Sequence, residues 1–355
     1  MKTDPPPVPV TPPERHAALD GLRGMAALMV VASHLGNAGM PLIPGLDFSG
    51  TGKYGVYLFF VLSAFLLTDQ LLRLELADWK RIDPWRRYFV RRVLRIFPLY
   101  AVVLVASWAL AGTGWVIPLD TPELVRHLTL AQGKDIFWSV PVEFKYYFAI
   151  PLVALSVAAL RAWRPNAAEP IALGMLALAT LAAVVLWPPA RSTVNSDRLV
   201  DYLAIFLCGS GAAVIARWLP APPKRPVVLQ VCGFALLATI ALLAPAGLRA
   251  IGLDVRNDVM HRSFLLFGAI WSGVLLCVVY GGGPAARLFC WRPLRACGHW
   301  CFGIYLLHMS MLYLIQPMPA SPSFKAWMVL IVTLAAAAAS YRTIERPAIR
   351  LGARF

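Results

Sequence analysis

Charged side chains are scarce in this sequence. Only 14% of its 355 residues are Asp, Glu, Lys or Arg, whereas 59% are hydrophobic. Soluble domains carry roughly 25% charged residues, so the composition excludes an ordinary water-soluble fold. Apolar runs of roughly 20 residues recur along the chain, and each is long enough to cross ~30 Å of hydrocarbon. The sequence therefore predicts an all-α, polytopic membrane helical bundle.

Acidic residues are scarcer than basic ones, and the net charge is +15. We predict about ten transmembrane helices, at residues 17–36, 53–73, 92–112, 140–161, 169–187, 199–217, 227–245, 263–282, 298–316 and 325–345. The side that holds both ends of the chain carries 22 Lys and Arg residues, and the other side carries 9. The positive-inside rule then places the N- and C-termini in the cytoplasm. The basic excess is thus a topology signal, and we expect no nucleic-acid partner.

Disulfides and a cleavable signal peptide are two further absences. None of the six cysteines falls in a predicted outer loop, so no disulfide is expected. Cys297, His299 and Cys301 match no standard zinc spacing, and we expect no metal there. Residues 1–16 are proline-rich and lack an apolar signal core, which predicts a flexible cytoplasmic tail. Residues 17–355 form the predicted membrane-embedded domain.

The first predicted helix contains ionisable residues that are costly inside a bilayer. In LDGLRGMAALMVVASHLG (19–36), Arg23 and His34 are eleven residues apart. That spacing is about three helical turns, a rise of ~16.5 Å, so the two side chains share one face. Such residues usually face a protein interior or a water-filled cavity. Alternatively, Asp20 only pairs with Arg23 and His34 only caps the outer end.

A carboxylate follows in DIFWSVPVEFKYYFAIPL (135–152). The predicted span begins near Pro141, so we expect Glu143 at its outer end, at a depth similar to that of His34. A neutral imidazole can take a proton from a hydroxyl, and a nearby carboxylate can orient it. Alternatively, Glu143 is an acid favoured by the helix dipole at an N-terminus.

Arginines form a strip in RRYFVRRVLRIFPLY (86–100). Arg87, Arg91 and Arg95 follow one another at intervals of four residues, and Arg92 lies three residues before Arg95. The strip would occupy one face of a helix where it enters the membrane. Guanidinium forks suit phosphate groups, including those of coenzyme A. Alternatively, the strip only sets topology and anchors the chain to lipid headgroups.

Polar residues also occur in the last two predicted spans. GIYLLHMSM (303–311) places His308 near mid-membrane, and SYRTIERPAIR (340–350) places Ser340 and Glu345 at the cytoplasmic exit. His308 is alternatively a packed, hydrogen-bonded core residue. Arg342 and Glu345 could form a local ion pair.

Taken in order, six motifs resemble the acyltransferase 3 family of integral-membrane O-acyltransferases, over nearly the whole chain beyond the tail. They are LDGLRGMAALMVVASH, GVYLFFVLSAFLLT, RRVLRIFPLY, FWSVPVEFKYYFAIPL, IYLLH and SYRTIERP. Two departures are modest: Ala64 replaces the usual glycine, and the Phe144–Lys145 dipeptide differs from the commonest residues.

The resemblance implies acyl transfer from cytoplasmic acyl-CoA, most commonly acetyl-CoA, to a hydroxyl of a carbohydrate or lipid-linked acceptor at the bacterial cytoplasmic membrane. His34 would be the base or acyl carrier, Arg23 would stabilise the thioester oxyanion or position the donor, and Glu143 would orient His34 or hold the acceptor. The expected donor-binding residues are Arg87, Arg91, Arg92, Arg95, Ser340 and Glu345. His308 would contact the acceptor. No metal and no permanently bound cofactor are expected.

A secondary transporter is the competing class. His34, Glu143 and His308 would then form a proton relay for a polar or lipid-linked metabolite. Transporters are commonly built from paired halves with matching interrupted helices, and the sequence shows no such halves.

Overall fold

The computed structural model describes residues 12–219, 227–281 and 283–355, without the side chains of residues 12–16 and 281. Most of the predicted tail, residues 1–11, lies outside the described residues. The first helix begins at Pro12, inside the segment predicted as tail.

Sixteen α-helices make up most of the described chain, in which no β-strand occurs. They are α1 (Pro12–Asn37), α2 (Gly52–Leu71), α3 (Ile82–Ala109), α4 (Thr121–Leu128), α5 (Ser139–Trp163), α6 (Ala168–Leu186), α7 (Leu199–Trp218), α8 (Val227–Leu243), α9 (Pro245–Ala250), α10 (Asn257–His261), α11 (Phe264–Gly281), α12 (Gly283–Phe289), α13 (Arg292–His299), α14 (Cys301–Ile315), α15 (Pro322–Ser340) and α16 (Arg346–Gly352). Short 3-10 turns occur at Asp78–Lys80, Asp135–Trp138 and Pro189–Arg191, and a π-helical turn occurs at Tyr341–Glu345.

A helix occurs at each of the ten predicted spans. Within the described residues, six helices are long and apolar enough to cross a membrane, or up to eight if each of two bent pairs is one span. The all-α, multi-pass membrane fold is confirmed. The count of ten crossings and the cytoplasmic position of the termini stay predictions. We call the end of the bundle at which α1 starts the inner end, and the end at which His34 lies the outer end.

Glycines bring α1 into direct contact with the helices beside it. A Cβ atom at Gly298 of α13 would lie 1.8 Å from the backbone oxygen of Asp20. A Cβ atom at Gly24 would lie 2.0 Å from the oxygen of Leu294. Small residues allow such close backbone approach between membrane helices. This contact fixes the rotation of α1, which carries both Arg23 and His34.

An aromatic cluster joins α2, α5 and α7. The Phe206 ring stacks on Tyr146 and Phe60, with centroids 4.3 and 4.5 Å apart. The Tyr146 hydroxyl lies 2.8 Å from Ser210 Oγ, which also contacts Thr68 Oγ1 at 2.9 Å. Paired hydroxyls and packed rings make this part of the bundle rigid. The cluster thereby fixes the start of α5, where Glu143 lies.

Candidate active site

Two adjoining cavities lie inside the bundle. The inner cavity, about 90 Å³, is lined by side chains that include Arg23, Ser63, Arg92, Arg95, Ser139, Glu143, Tyr147, Cys301 and Tyr305. The outer cavity, about 200 Å³, is lined by side chains that include Ser33, His34, Asn37, Lys53, Asp135, Trp138, Asn195, His261 and Tyr305. Val56 and Tyr305 line both spaces, so the cavities meet at these two residues.

Tyr305 is fixed where the two cavities meet. Its hydroxyl accepts a hydrogen bond from Ser139 Oγ at 2.8 Å and donates to the backbone oxygen of Ile136. Ile136 lies in the 3-10 turn just before α5, and Ser139 is the first residue of α5. The tyrosine therefore ties α14 to α5 between the arginines on one side and His34 on the other.

His34 lines the outer cavity, and its hydrogen-bond partner is His308. His34 Nδ1 lies 3.1 Å from His308 Nε2 and 3.0 Å from the backbone oxygen of Val30. His308 is 1% exposed, and it is not among the residues that line either cavity. The contact of His308 with the acceptor stays a prediction, and in this structure its side chain lies behind His34.

Glu143 lies in the inner cavity instead of beside His34. Its Oε1 atom accepts hydrogen bonds from the hydroxyls of Ser63 and Tyr147, the latter at 2.7 Å. The start of α5 turns the carboxylate toward α2 and its own next turn. The expected pairing with His34 is thus not observed, since His308 occupies that place.

Three guanidinium groups line the inner cavity with the Glu143 carboxylate. Arg23 lies 3.5 Å from Asp20, so the local pair considered for α1 does form. Arg95 lies 3.2 Å from Glu345. Arg92 Nε is buried and has no hydrogen-bond partner among the described residues. An orphaned buried guanidinium donor suits an anionic ligand.

The other two arginines of the strip point elsewhere. Arg87 Nε donates to the backbone oxygen of Phe355 at 2.9 Å, and Arg91 Nε donates to that of Gly352 at 3.4 Å. The strip therefore divides: one half faces the inner cavity, and the other holds the segment after α15. The donor contact predicted for Arg87 and Arg91 stays a prediction, and the structure places neither residue among those that line the inner cavity.

Ser340 and Glu345 lie beside the inner cavity, behind its lining. Ser340 Oγ donates to the oxygen of Ala337 at 3.0 Å and packs over Gly303. Glu345 is 1% exposed and ends the π-helical turn, a feature frequent at functional sites. Its carboxylate reaches Arg95, and no pair with Arg342 is seen among the described residues. Glu345 is therefore linked to the inner cavity through its ion pair with Arg95.

The chain matches a known protein family. A family model described as an acyltransferase domain matches residues 16–342. The chain belongs to the acyltransferase 3 family. No solved structure gives a significant match to it.

Curated relatives of this acyltransferase 3 protein carry related names. It is 25% identical over 368 residues to a candidate peptidoglycan O-acetyltransferase of Bacillus subtilis (strain 168), covering 93% of this chain and 54% of the relative. It is 24% identical over 367 residues to the peptidoglycan O-acetyltransferase OatA of Listeria monocytogenes, covering 93% and 55%. It is 25% identical over 375 residues to nodulation protein 10 of Rhizobium leguminosarum bv. viciae, covering 94% and 93%. The chain spans about half the length of the first two relatives.

Several cavity residues of this acyltransferase 3 chain were missed by the sequence analysis. Lys53 sits over the Trp138 ring, 5.5 Å from its centroid. Asp135 and Asn195 have positive φ angles of 49° and 57°, a conformation that persists only where surrounding structure enforces it. Burial lowers the pKa of His261, whose Nε2 lies 2.8 Å from the Gly50 oxygen. These residues come from separate segments of the chain, two of them α-helical, so no local spacing could group them.

Proposed function

We propose that this protein is a membrane O-acyltransferase of the bacterial cytoplasmic membrane. It takes an acyl group, in the first instance acetyl, from cytoplasmic acyl-CoA and transfers it to a hydroxyl of a carbohydrate or lipid-linked acceptor. The supporting observation is the arrangement of the two cavities. Arginines line the inner one, His34 lines the outer one, and both spaces meet at Tyr305.

The donor enters from the inner end in this proposal. Arg92 and Arg95 hold its phosphate groups, because charge-assisted guanidinium–phosphate bonds are strong and directional. Glu345 keeps Arg95 in place through their ion pair. The thioester arm then lies along α1 past Arg23, which is positioned to stabilise negative charge on the thioester oxygen.

The acceptor approaches from the outer cavity. Its polar lining, which includes Asn37, Asp135 and Asn195, offers carboxylate and amide groups for sugar hydroxyls. Two of the relatives are named for peptidoglycan, whose strands are polysaccharide. These two facts together support a carbohydrate acceptor.

His34 performs the central proton transfer in this proposal. Its free ring nitrogen takes the proton of the acceptor hydroxyl while the oxygen attacks the thioester carbonyl. The carbon–sulfur bond then breaks, and the proton passes from His34 to the leaving thiolate, which gives an ester and free coenzyme A. Glu143, bonded to Ser63 and Tyr147, balances the positive charge of the inner cavity.

The test uses purified, folded protein with radiolabelled acetyl-CoA and peptidoglycan fragments as acceptor. We expect His34→Gln to reduce transfer by at least ~10²-fold, the usual weight of general base catalysis. His299→Gln is the matched control, because His299 is half-exposed near Asp20 and is not among the residues that line either cavity. Near-normal turnover in the His34 variant would exclude it as the base.

A further inference from the structure

His308 is held at both of its ring nitrogens. Its Nδ1 lies 2.7 Å from the backbone oxygen of Tyr305, and its Nε2 lies 3.1 Å from His34 Nδ1. The two rings have centroids 4.9 Å apart and planes inclined by 47°. The side chain is buried, at 1% exposure. A histidine enclosed in this way has no route to a substrate except through the ring beside it.

The two carbonyl contacts determine which nitrogens carry hydrogen. A carbonyl oxygen only accepts hydrogen bonds, so the Tyr305 oxygen requires a proton on His308 Nδ1. The Val30 oxygen likewise requires a proton on His34 Nδ1. His308 Nε2 must then be the acceptor in the contact between the two rings. It follows that the lone pair of neutral His34 is on Nε2.

We propose that His308 is a positioning residue that, together with the Val30 oxygen, holds His34 in the tautomer with Nδ1 protonated and Nε2 free to act as base. This inference rests on the proposed role of His34. His308 acts on His34 as a carboxylate acts on a catalytic histidine: the partner selects the tautomer and favours the imidazolium. Here the partner is a neutral imidazole, which accepts the same hydrogen bond without adding a buried charge.

The proposed proton transfers leave the protonation state of His308 unchanged. When Nε2 of His34 takes the hydroxyl proton, the ring becomes cationic and its Nδ1–H bond to His308 Nε2 becomes charge-assisted. His308 keeps one proton on Nδ1 throughout. When the thiolate leaves, it takes the proton from His34 Nε2, and the pair returns to its starting state.

Two substitutions separate this role from packing. In His308→Gln, the side-chain oxygen can reach the position of Nε2 and accept from His34. In His308→Asn, the amide can occupy the position of Nδ1 and donate to Tyr305, but it does not reach His34. We expect His308→Gln to keep most of kcat. We expect His308→Asn to lose on the order of 10²-fold or more in kcat, with KM for acetyl-CoA unchanged. Equal kcat in the two variants, or a loss confined to KM, would overturn the proposal.

A spectroscopic measurement tests the same contact without any turnover. In purified protein with ¹⁵N-labelled histidine, the His34 signals are assigned by comparison with His34→Gln. We expect a protonated Nδ1 and an unprotonated Nε2 in the wild type and in His308→Gln. In His308→Asn the Val30 oxygen is the one acceptor left to Nδ1 among these contacts, so we expect a measurable fraction of the tautomer protonated on Nε2. A wild-type His34 protonated on Nε2 would overturn the inference. The expected tautomer together with an absence of acyl transfer would instead defeat the proposed function and leave the positioning contact standing.

Discussion

Arg92 and Arg95 are close to Arg87 and Arg91 in sequence, yet the four guanidinium groups reach two different places. Arg92 and Arg95 line the inner cavity. Arg87 and Arg91 donate to backbone oxygens near the end of the chain. Residues of one helix strip therefore have different partners, because a second element covers only part of the strip.

This division gives a direct prediction for donor binding. Alanine at Arg92 or Arg95 should weaken acetyl-CoA binding roughly 10-fold or more, since a hydrogen bond to a charged group contributes about 1.5–3 kcal/mol. Arg87→Ala is the matched control, and it should leave donor affinity unchanged. Equilibrium binding of labelled acetyl-CoA to purified protein measures both. An equal loss of acetyl-CoA affinity in all of these variants would show that the strip acts only through its general positive charge.

The spacing of residues along a helix predicts some features of the site and leaves others unpredicted. The interval between Arg23 and His34 correctly places them on the side of α1 that lines the two cavities. The partner of Glu143 was not predictable, because it depends on how α5 is rotated against α2. That rotation is set by contacts such as Tyr146 on Phe206, which join residues far apart in sequence.

Among the described residues, the closest approach of one helix backbone to a glycine of another is that between α1 and α13. Gly298→Ala places a Cβ atom 1.8 Å from the Asp20 backbone oxygen, so the helices must separate. We expect a loss of roughly 1–3 kcal/mol in the free energy of unfolding. Gly174→Ala on α6 is the control, because a Cβ atom there meets nothing within 4 Å. Thermal unfolding in detergent compares the two, and equal stability would show that α1 and α13 are not held this closely.

A buried histidine organises the outer segment that ends at Asp135. His127 Nδ1 donates to the Glu123 oxygen at 2.7 Å, and its Nε2 accepts from the backbone of Lys134 at 2.8 Å. Burial lowers the pKa of His127 below its ordinary value of 6.5, although the contacts with Glu123 oppose this shift. The neutral form is thus the one that fits.

Linkage gives the sign of the pH effect on this segment. The unfolded segment binds a proton below about pH 6.5 and the folded one resists it, so local stability is full above that pH and is lost as pH falls. Hydrogen exchange of residues 121–134 should therefore show less protection at about pH 5.5 than at about pH 7.5. His127→Gln keeps an acceptor for Lys134 and should abolish the difference. The same pH effect in both proteins would exclude His127 as its cause.

Apolar run length predicted the position of ten helices, but not the shapes between them. The short helices α4, α9 and α10 lie in segments read only as outer loops. The π-helical turn before α16 brings the Glu345 carboxylate to Arg95, and it has no signature in hydropathy. Such features depend on local hydrogen bonds and on tertiary partners.

In the proposed function, a path through the whole bundle leads from the arginines at the inner end, past Tyr305, to His34 at the outer end. The donor is proposed to enter this path from the cytoplasm. The family match and the multi-pass fold agree with this claim. The membrane sides rest on the distribution of Lys and Arg along the sequence.

Proteoliposomes with a single protein orientation test this claim most directly. Labelled acetyl-CoA is supplied on one side only, with peptidoglycan fragments on the other and no proton gradient. We predict acyl transfer and release of free coenzyme A only when the donor is on the side of the chain termini. Transfer only from the opposite side, or flux of a solute driven by a proton gradient without consumption of acetyl-CoA, would contradict the account.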